Sequence, residues 1–309
     1  MKKITLMICL LFAASVNAQQ EKGIIGYTNW LDNWTEFKPQ KADSKEANQI
    51  LAGNITENTK LMKKNVYILN GNVYVTNNAV LTIDPGTVII GDAATKGTLI
   101  ISKGAKIIAE GQETDPIVFT SNASMKKAGD WGGLVILGDA PINKFGGVGS
   151  YNMDLDPTLT VYGGDNVASS SGILKFVRIE FAGRKVKGAD SFNGLTVAGA
   201  GNKTVLENIM VSYSGGDSFA FYGGDVNASQ LVSYKSINDD FKITQGAQCR
   251  LFNSLAVRSS YLSSNKDGSR CLEVKAYEKK SETDFTRKST FVSASNLTML
   301  NDSENINAD

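Results

Sequence analysis

The sequence predicts an all-β protein, a right-handed parallel β-helix, which is a solenoid of short strands, with an N-terminal cap. Three observations carry that prediction. First, Leu81-Thr-Ile-Asp-Pro-Gly-Thr-Val-Ile-Ile-Gly91 superimposes on Leu99-Ile-Ile-Ser-Lys-Gly-Ala-Lys-Ile-Ile-Ala109 at a shift of 18, with Gly86 on Gly104 and Ile83 on Ile101. Self-similarity at such a period marks a repeat architecture. Second, period-2 columns recur: Val177/Ile179/Phe181, Ile209/Val211/Tyr213 and Leu255/Val257 alternate with Arg178/Glu180, Met210/Ser212 and Ala256/Arg258, and Val232 and Tyr234 extend the column. A second column pairs Leu195/Val197, Phe219/Phe221, Phe241/Ile243 and Leu272/Val274, with Thr196, Ala220, Lys242 and Glu273 between them on the outward side. Third, Gly, Asn, Asp and Ser separate the strands, no helical apolar period lies between them, and the chain has only five prolines, so βαβ units are disfavoured.

Taken in chain order, Lys2-Lys3, the apolar run Ile4 to Val16 and Val16-Asn17-Ala18 read as a signal peptide over 1–18. Cys9 has Ile8 rather than a small residue before it, so no lipid anchor is expected. No later stretch reaches the roughly 20 apolar residues that span a bilayer, and a soluble exported protein is expected. Residues 19–62 carry Trp30, Trp34 and Phe37 followed by charges and are assigned as the cap, because an open coil exposes unpaired backbone. The β-helix follows over 63–309, in coils of roughly 18 to 27 residues that rise ~4.8 Å each. A surface insertion is placed at about 141–172, between glycine-rich stretches. The C-terminal strands Ser289-Thr-Phe-Val292 and Asn296-Leu-Thr-Met-Leu300 run to Asp309 with no recognisable cap, so further coils or a short hidden cap are both open.

Composition narrows the chemistry. The 309 residues are 42% hydrophobic, enough for a large core. Net charge is +1, which gives no polyelectrolyte signature for nucleic acid or an anionic membrane. Histidine is absent, so the usual neutral-pH base and commonest metal ligand are missing. Cys249 and Cys271 stand about one coil apart; a disulfide and two idle thiols are both open.

Several stretches together resemble a family of exported β-helix proteins common in Bacteroidetes: Val66-Tyr-Ile-Leu-Asn-Gly-Asn-Val-Tyr-Val75, Leu81-Thr-Ile-Asp-Pro-Gly86, Lys96-Gly-Thr-Leu99, Pro116-Ile-Val-Phe-Thr-Ser121 and Gly129-Asp-Trp-Gly-Gly-Leu-Val-Ile-Leu-Gly138. The resemblance covers roughly Ile50 to Val274. It implies a right-handed parallel β-helix at the outer surface or outside the cell, and no established activity. Similar proteins often continue into a type IX secretion sorting domain, which this sequence does not show.

Candidate site residues come from the turns. Asp190, Asp217, Asp239 and Asp267 precede the second column by five, two, two and five residues, which suggests two turns enlarged by three residues. Asp217, Asp239 and Asp240 are the candidate acids and Lys242, Arg258 or Arg270 the candidate bases of a polysaccharide lyase or glycoside hydrolase. Glycoside hydrolysis needs carboxyls ~5–9.5 Å apart across the bond. Turn aspartates also arise simply because they accept from nearby backbone N–H groups. Asp190, Asp217, Asp239, Asp240 and Asp267 are candidate calcium ligands, without EF-hand or nonapeptide spacing. Trp131 is the candidate sugar platform, although its glycine neighbours equally suit a bend around a buried ring. The Gly-His-Gly element of pectin-degrading hydrolases is absent, and Gly146-Gly-Val-Gly149 and Gly163-Gly-Asp165 lack the strand-to-helix context of phosphate loops. The leading expectation is a non-catalytic secreted or cell-surface scaffold that binds glycans or surface partners, with no cofactor unless calcium. Polysaccharide cleavage at an exposed face and a structural segment of a larger surface protein are the alternatives.

Overall fold

A computed structural model describes residues 29–42, 45–188, 190–259, 261–263 and 269–302. The expected signal peptide, Cys9 and Asp267 lie outside these residues. In chain order the strands are β1 (Gln49–Ile55), β2 (Thr59–Leu61), β3 (Val66–Val75), β4 (Val80–Ile83), β5 (Val88–Gly91), β6 (Thr98–Ile101) and β7 (Lys106–Glu110). After them come β8 (Ile117–Ser121), β9 (Gly133–Leu137), the short hairpin β10 (Gly149–Ser150) and β11 (Val161–Tyr162), and β12 (Gly172–Glu180). The remainder are β13 (Leu195–Ala198), β14 (Val205–Ser212), β15 (Phe219–Tyr222), β16 (Asp225–Tyr234), β17 (Phe241–Thr244), β18 (Gln248–Ser259), β19 (Leu272–Val274) and β20 (Phe291–Asp302).

Apart from β10 and β11, every strand pairs in parallel with its equivalent in the neighbouring coil, and the pairings form three lengthwise sheets of a parallel β-helix. The first sheet stacks β2, β4, β7 and the opening halves of β12, β14, β16, β18 and β20. The second stacks the start of β1 and β3, then β5, β8 and the closing halves of β12 through β20. The third stacks the ends of β1 and β3, then β6, β9, β13, β15, β17 and β19. Strands β1 and β2 already belong to the solenoid, so it starts at Gln49 and not at residue 63.

From β12 onward one strand turns the corner between the first and second sheets through a single left-handed residue. Phe176, Asn208, Gln230, Asn253 and Asn296 occupy that corner with φ from 49° to 55°. Asparagine tolerates this backbone far better than an aromatic residue, so Phe176 is the strained member. The core beneath is a continuous aliphatic and aromatic stack in which Phe219 lies on Phe241 at 5.4 Å and Phe119 on Trp131 at 6.4 Å. The fit is tight enough to dictate sequence. A Cβ added at Gly91 would lie 2.3 Å from Trp131 Cγ. Cys249 is buried and Cys271 half-buried in this core, and neither is bonded to the other.

Two sequence expectations are corrected here. In the second sheet Val232, Tyr234, Leu255 and Val257 face outward, while Leu231, Ser233, Ser254 and Ala256 face the interior. Both faces carry apolar residues because the outer one is covered, and a one-residue slip then leaves the alternation pattern unchanged. The cover is the segment 29–42. Trp34, fully buried, packs edge-on to Phe176 at 6.0 Å and groups with Met210, Val232 and Leu255, while Phe37 meets Tyr234 at 5.0 Å. This part of the expected cap is a strap along the side of the solenoid, not a lid across its end. Among the described residues no helix is long and apolar enough to cross a membrane.

Candidate functional site

The outward side chains of the third sheet are polar or small where the chain approaches the C-terminal coils: Thr196, Ala220, Lys242 and Glu273. They point away from the core as the sequence suggests, yet Thr196 and Ala220 are fully buried and Glu273 nearly so. The insertion explains this. It leaves the solenoid after β9, forms the hairpin β10–β11 and folds back over the sheet, placing Ile142, Tyr151 and Tyr162 against Ile100, Val135, Leu137 and Ala198. A second segment, residues 275–290, is fastened to it by Lys144 Nζ to Glu282 at 2.9 Å and by Asn143 Nδ2 donating to the Ala276 carbonyl at 2.7 Å.

Between these covers and the sheet lies a cleft of about 530 Å³. Tyr151 and Met153 of the insertion form one wall, Lys275 and Glu278 another, and Asn193, Asp217, Tyr222, Asn238 and Lys242 rise from the coils. Its floor is bare backbone at Gly129, Gly183 and Gly215. A Cβ at Gly215 would lie 2.5 Å from the Gly183 carbonyl oxygen, so the stacking of coils itself demands glycine there.

The turn carboxylates prove to be members of a ladder. Asn193 Oδ1 accepts from the N–H of Asp217 at 3.1 Å, Asp217 Oδ1 from the N–H of Asp239 at 3.1 Å, and Asp239 Oδ1 from the N–H of Arg270 at 2.8 Å. Each side chain thus closes the backbone of the next coil. The ladder residue stands two places before β13, β15, β17 and β19, so its outer members are Asn193 and Arg270. Asp190, five places ahead, is exposed on the cleft rim. The turn from the second to the third sheet is short before β15 and β17 and longer before β13 and β19, the two coils in which an aspartate stands five places ahead, and the enlargement there exceeds the three residues expected.

Electrostatics divide the candidates further. Burial pushes the Asp217 carboxyl up to about 7; the Lys242 ammonium opposes this and the Asp239 carboxylate adds to it. Burial also raises Asp239, to about 6, against the bond from the Arg270 N–H and with help from Glu273. Burial pulls Lys242 down, but Asp217, Glu278 and Glu273 outweigh it and hold the ammonium well above its usual range. Its Nζ sits 3.1 Å from Glu278 and 3.9 Å from Glu273. Lys242 is a fixed cation, unsuited to the role of base.

Asp240 does not reach the cleft. It is fully buried, bonded by the Ser233 and Ser236 hydroxyls and by Arg258 at 2.9 Å. Arg258 also donates to the carbonyls of Asn238 and Arg270, which occupies it structurally. Asp239 and Asp240 therefore form no acid pair, since adjacent positions send their side chains to different surroundings. Arg270 pairs with Glu273 at 2.9 Å.

Trp131 is fully buried in the core, stacked on Phe119, with its Nε1 donating to the Glu180 carbonyl at 2.8 Å. It offers no face to a sugar. For calcium, the Oδ1 atoms of Asp217 and Asp239 are spent on backbone, and among the described residues no three acidic or sulfur side chains converge to hold an ion. Tyr151, Tyr222, Asn193, Lys275 and Glu278 were not singled out from sequence. Tyr151 meets Tyr222 at 6.3 Å only because the insertion folds back, which no local pattern encodes.

These features define a parallel β-helix with a partly roofed cleft on one sheet. Residues 53–308 match the family described as a pectate-lyase like beta helix domain, and the chain belongs to that family. No curated protein and no solved structure matches it.

Proposed function

We propose that the chain is an exported scaffold whose third-sheet cleft binds a saccharide without cleaving it. The reading is carried by the ladder Asn193–Asp217–Asp239: the acidic side chains at the cleft are engaged in joining coils, and Lys242 is locked between carboxylates. What remains for a ligand is a rigid wall of aromatic rings, amides and paired charges. Such a surface stacks on and hydrogen-bonds to sugars, and Asp190, the exposed carboxylate, stands at the rim and not in the wall. The leader-like N-terminus supports export to the cell surface or beyond, where polysaccharides and surface proteins are the available partners.

One observation favours a second reading, polysaccharide cleavage. Asp217 lines the cleft and its carboxyl, raised to about 7, is partly protonated at neutral pH, as a general acid must be. Screening the mature protein against acidic and neutral polysaccharides, with and without calcium, separates the two. Binding with no new reducing or unsaturated ends supports the scaffold. Product formation lost in Asp217→Asn, with binding retained, overturns it in favour of cleavage.

A further inference from the structure

The solenoid carries two hollows on its outside, and charge is arranged differently in each. A groove of about 690 Å³ lies where the strap passes over the outer face of the second sheet, floored by Ile68, Val88, Ile90 and Val118. Its polar end is closed by the ion pair of Arg178 Nε with Glu180 Oε1 at 3.3 Å. The third-sheet cleft has instead a chain of alternating charges along one wall.

Each link of that chain has its place in the fold. Lys242 is the long member of an outward column in which Thr196 and Ala220 are short, so its side chain rises into the cleft. Its Nζ lies 3.1 Å from Glu278 Oε1 and 3.9 Å from Glu273 Oε2. Glu273, next in the column, is already shared, with Arg270 Nη1 2.9 Å from one oxygen and Lys275 Nζ 3.1 Å from the other. Glu278 is therefore the nearest partner of Lys242, and it does not belong to the solenoid. It is carried by residues 275–290, which are tied to the insertion on either side of it, at Ala276 and at Glu282. The two ties fix the Glu278 carboxylate, which is partly exposed, at the cleft wall.

Among the described residues that wall the cleft inside its rim, both cations, Lys242 and Lys275, already hold a carboxylate. The rim adds one exposed charge of each sign, Lys185 and Asp190. A ligand carboxylate aimed at Lys242 meets Glu278 in the place it would need, and a like charge there is what rejects a wrong ligand. A hydroxyl has no such conflict, because it donates to a carboxylate and accepts from an ammonium. We propose that the cleft prefers uncharged saccharides to uronates, and that Glu278 is the residue that sets this preference. The inference rests on the reading of the cleft as a saccharide site. A neutral sugar bridges the Lys242–Glu278 pair through its hydroxyls and leaves the pair intact.

The test is calorimetric binding to the mature protein of tetrasaccharides in gluco, galacto and manno configuration, each as the neutral chain and as the form carrying a carboxylate at every C6. For the configuration that binds, the neutral chain is expected to be tighter by roughly tenfold or more. Glu278→Gln leaves Lys242 available and should tighten the uronate by roughly tenfold, and adding Lys242→Gln should remove that gain. The proposal falls, with the saccharide reading intact, if the wild type binds a uronate as tightly as its neutral counterpart. It falls equally if Glu278→Gln leaves the ratio unchanged, or if the double variant keeps the gain. If no tetrasaccharide of either form binds, the saccharide reading itself falls and takes the proposal with it. The wild-type ratio depends on no variant, so a folding defect in Glu278→Gln cannot hide the answer.

Discussion

The third-sheet cleft and the groove under the strap are both roofed hollows on the outside of the same solenoid, and both contain buried carboxyls. They differ in how the polar atoms are completed. At the cleft, Asp217 and Asp239 each close the backbone of the next coil, because the place just before the third-sheet strand keeps its register from coil to coil, and Lys242 is held by Glu278 of the covering segment. At the groove, Thr120 and Glu180 stack in register, and Glu180 Oε1 faces Arg178 Nε at 3.3 Å, an ion pair within one strand and not between coils. A ladder of repeats satisfies polar groups only where the repeated residues are mutually complementary.

Removing a carboxylate on each side tests this contrast most strongly. Asp240→Ala leaves Arg258 buried without its ion partner, and a loss of about 3–5 kcal/mol is expected in urea unfolding. Glu180→Leu removes the ion partner of Arg178, whose Nε lies 3.3 Å from Glu180 Oε1 without an aligned hydrogen bond, so a smaller loss of about 1–3 kcal/mol is expected. Equal losses at the two positions would erase the distinction drawn here.

Within the ladder, Asp217→Ala leaves the N–H of Asp239 and the Asn238 amide unaccepted in a buried turn, for an expected cost of about 1–3 kcal/mol. Asp217→Asn keeps the accepting oxygen and should cost less than half as much. If the two variants unfold alike, the side chain matters for its charge and not for closing the coil.

The pH dependence is smaller and has a fixed sign. Asp217 and Asp239 hold their protons more tightly in the folded chain than unfolded, with folded values of about 7 and about 6 against an ordinary 3.8. Their contribution favours folding below the ordinary carboxylate range and is lost as pH rises through 6 and then 7. Thermal unfolding is therefore expected several degrees lower at pH 8 than at pH 5. Asp217→Asn flattens that slope, leaving the part due to Asp239. A slope of opposite sign would mean that Lys242 dominates Asp217.

Much of this architecture is legible in the sequence, because period-2 alternation and the 18-residue repeat are local consequences of the coil. The third-sheet column from Leu195 to Val274 reads correctly, since its inner face is apolar and its outer face is not. The second-sheet column reads one residue out at Val232 and Leu255. There the strap buries the outer face as well, and hydrophobicity no longer tells inside from outside. The ladder was half visible: Asp217 and Asp239 announce it, whereas Asn193 does the same work with an amide oxygen and Arg270 ends it through its backbone N–H. The cleft walls were not visible, because Tyr151 and Glu278 are brought there by segments that cross the sheet from far along the chain.

The smallest expected effect concerns the strap that walls the groove, and it is informative because two terms oppose. Phe176 holds a left-handed corner that Asn208, Asn253 and Asn296 hold in later coils. Phe176→Asn should recover roughly 1 kcal/mol of backbone strain. It also forfeits the edge-on contact with Trp34, worth about 0.5–1.5 kcal/mol beyond the area buried. In the native chain the two should nearly cancel or leave a slight loss. With Trp34→Ala already in place the contact is gone, so Phe176→Asn should then stabilise, and the difference between the two backgrounds measures the coupling. A coupling near zero in this double-mutant cycle would mean that the strap rests on the solenoid without depending on Phe176. The corner aromatic would then need another explanation.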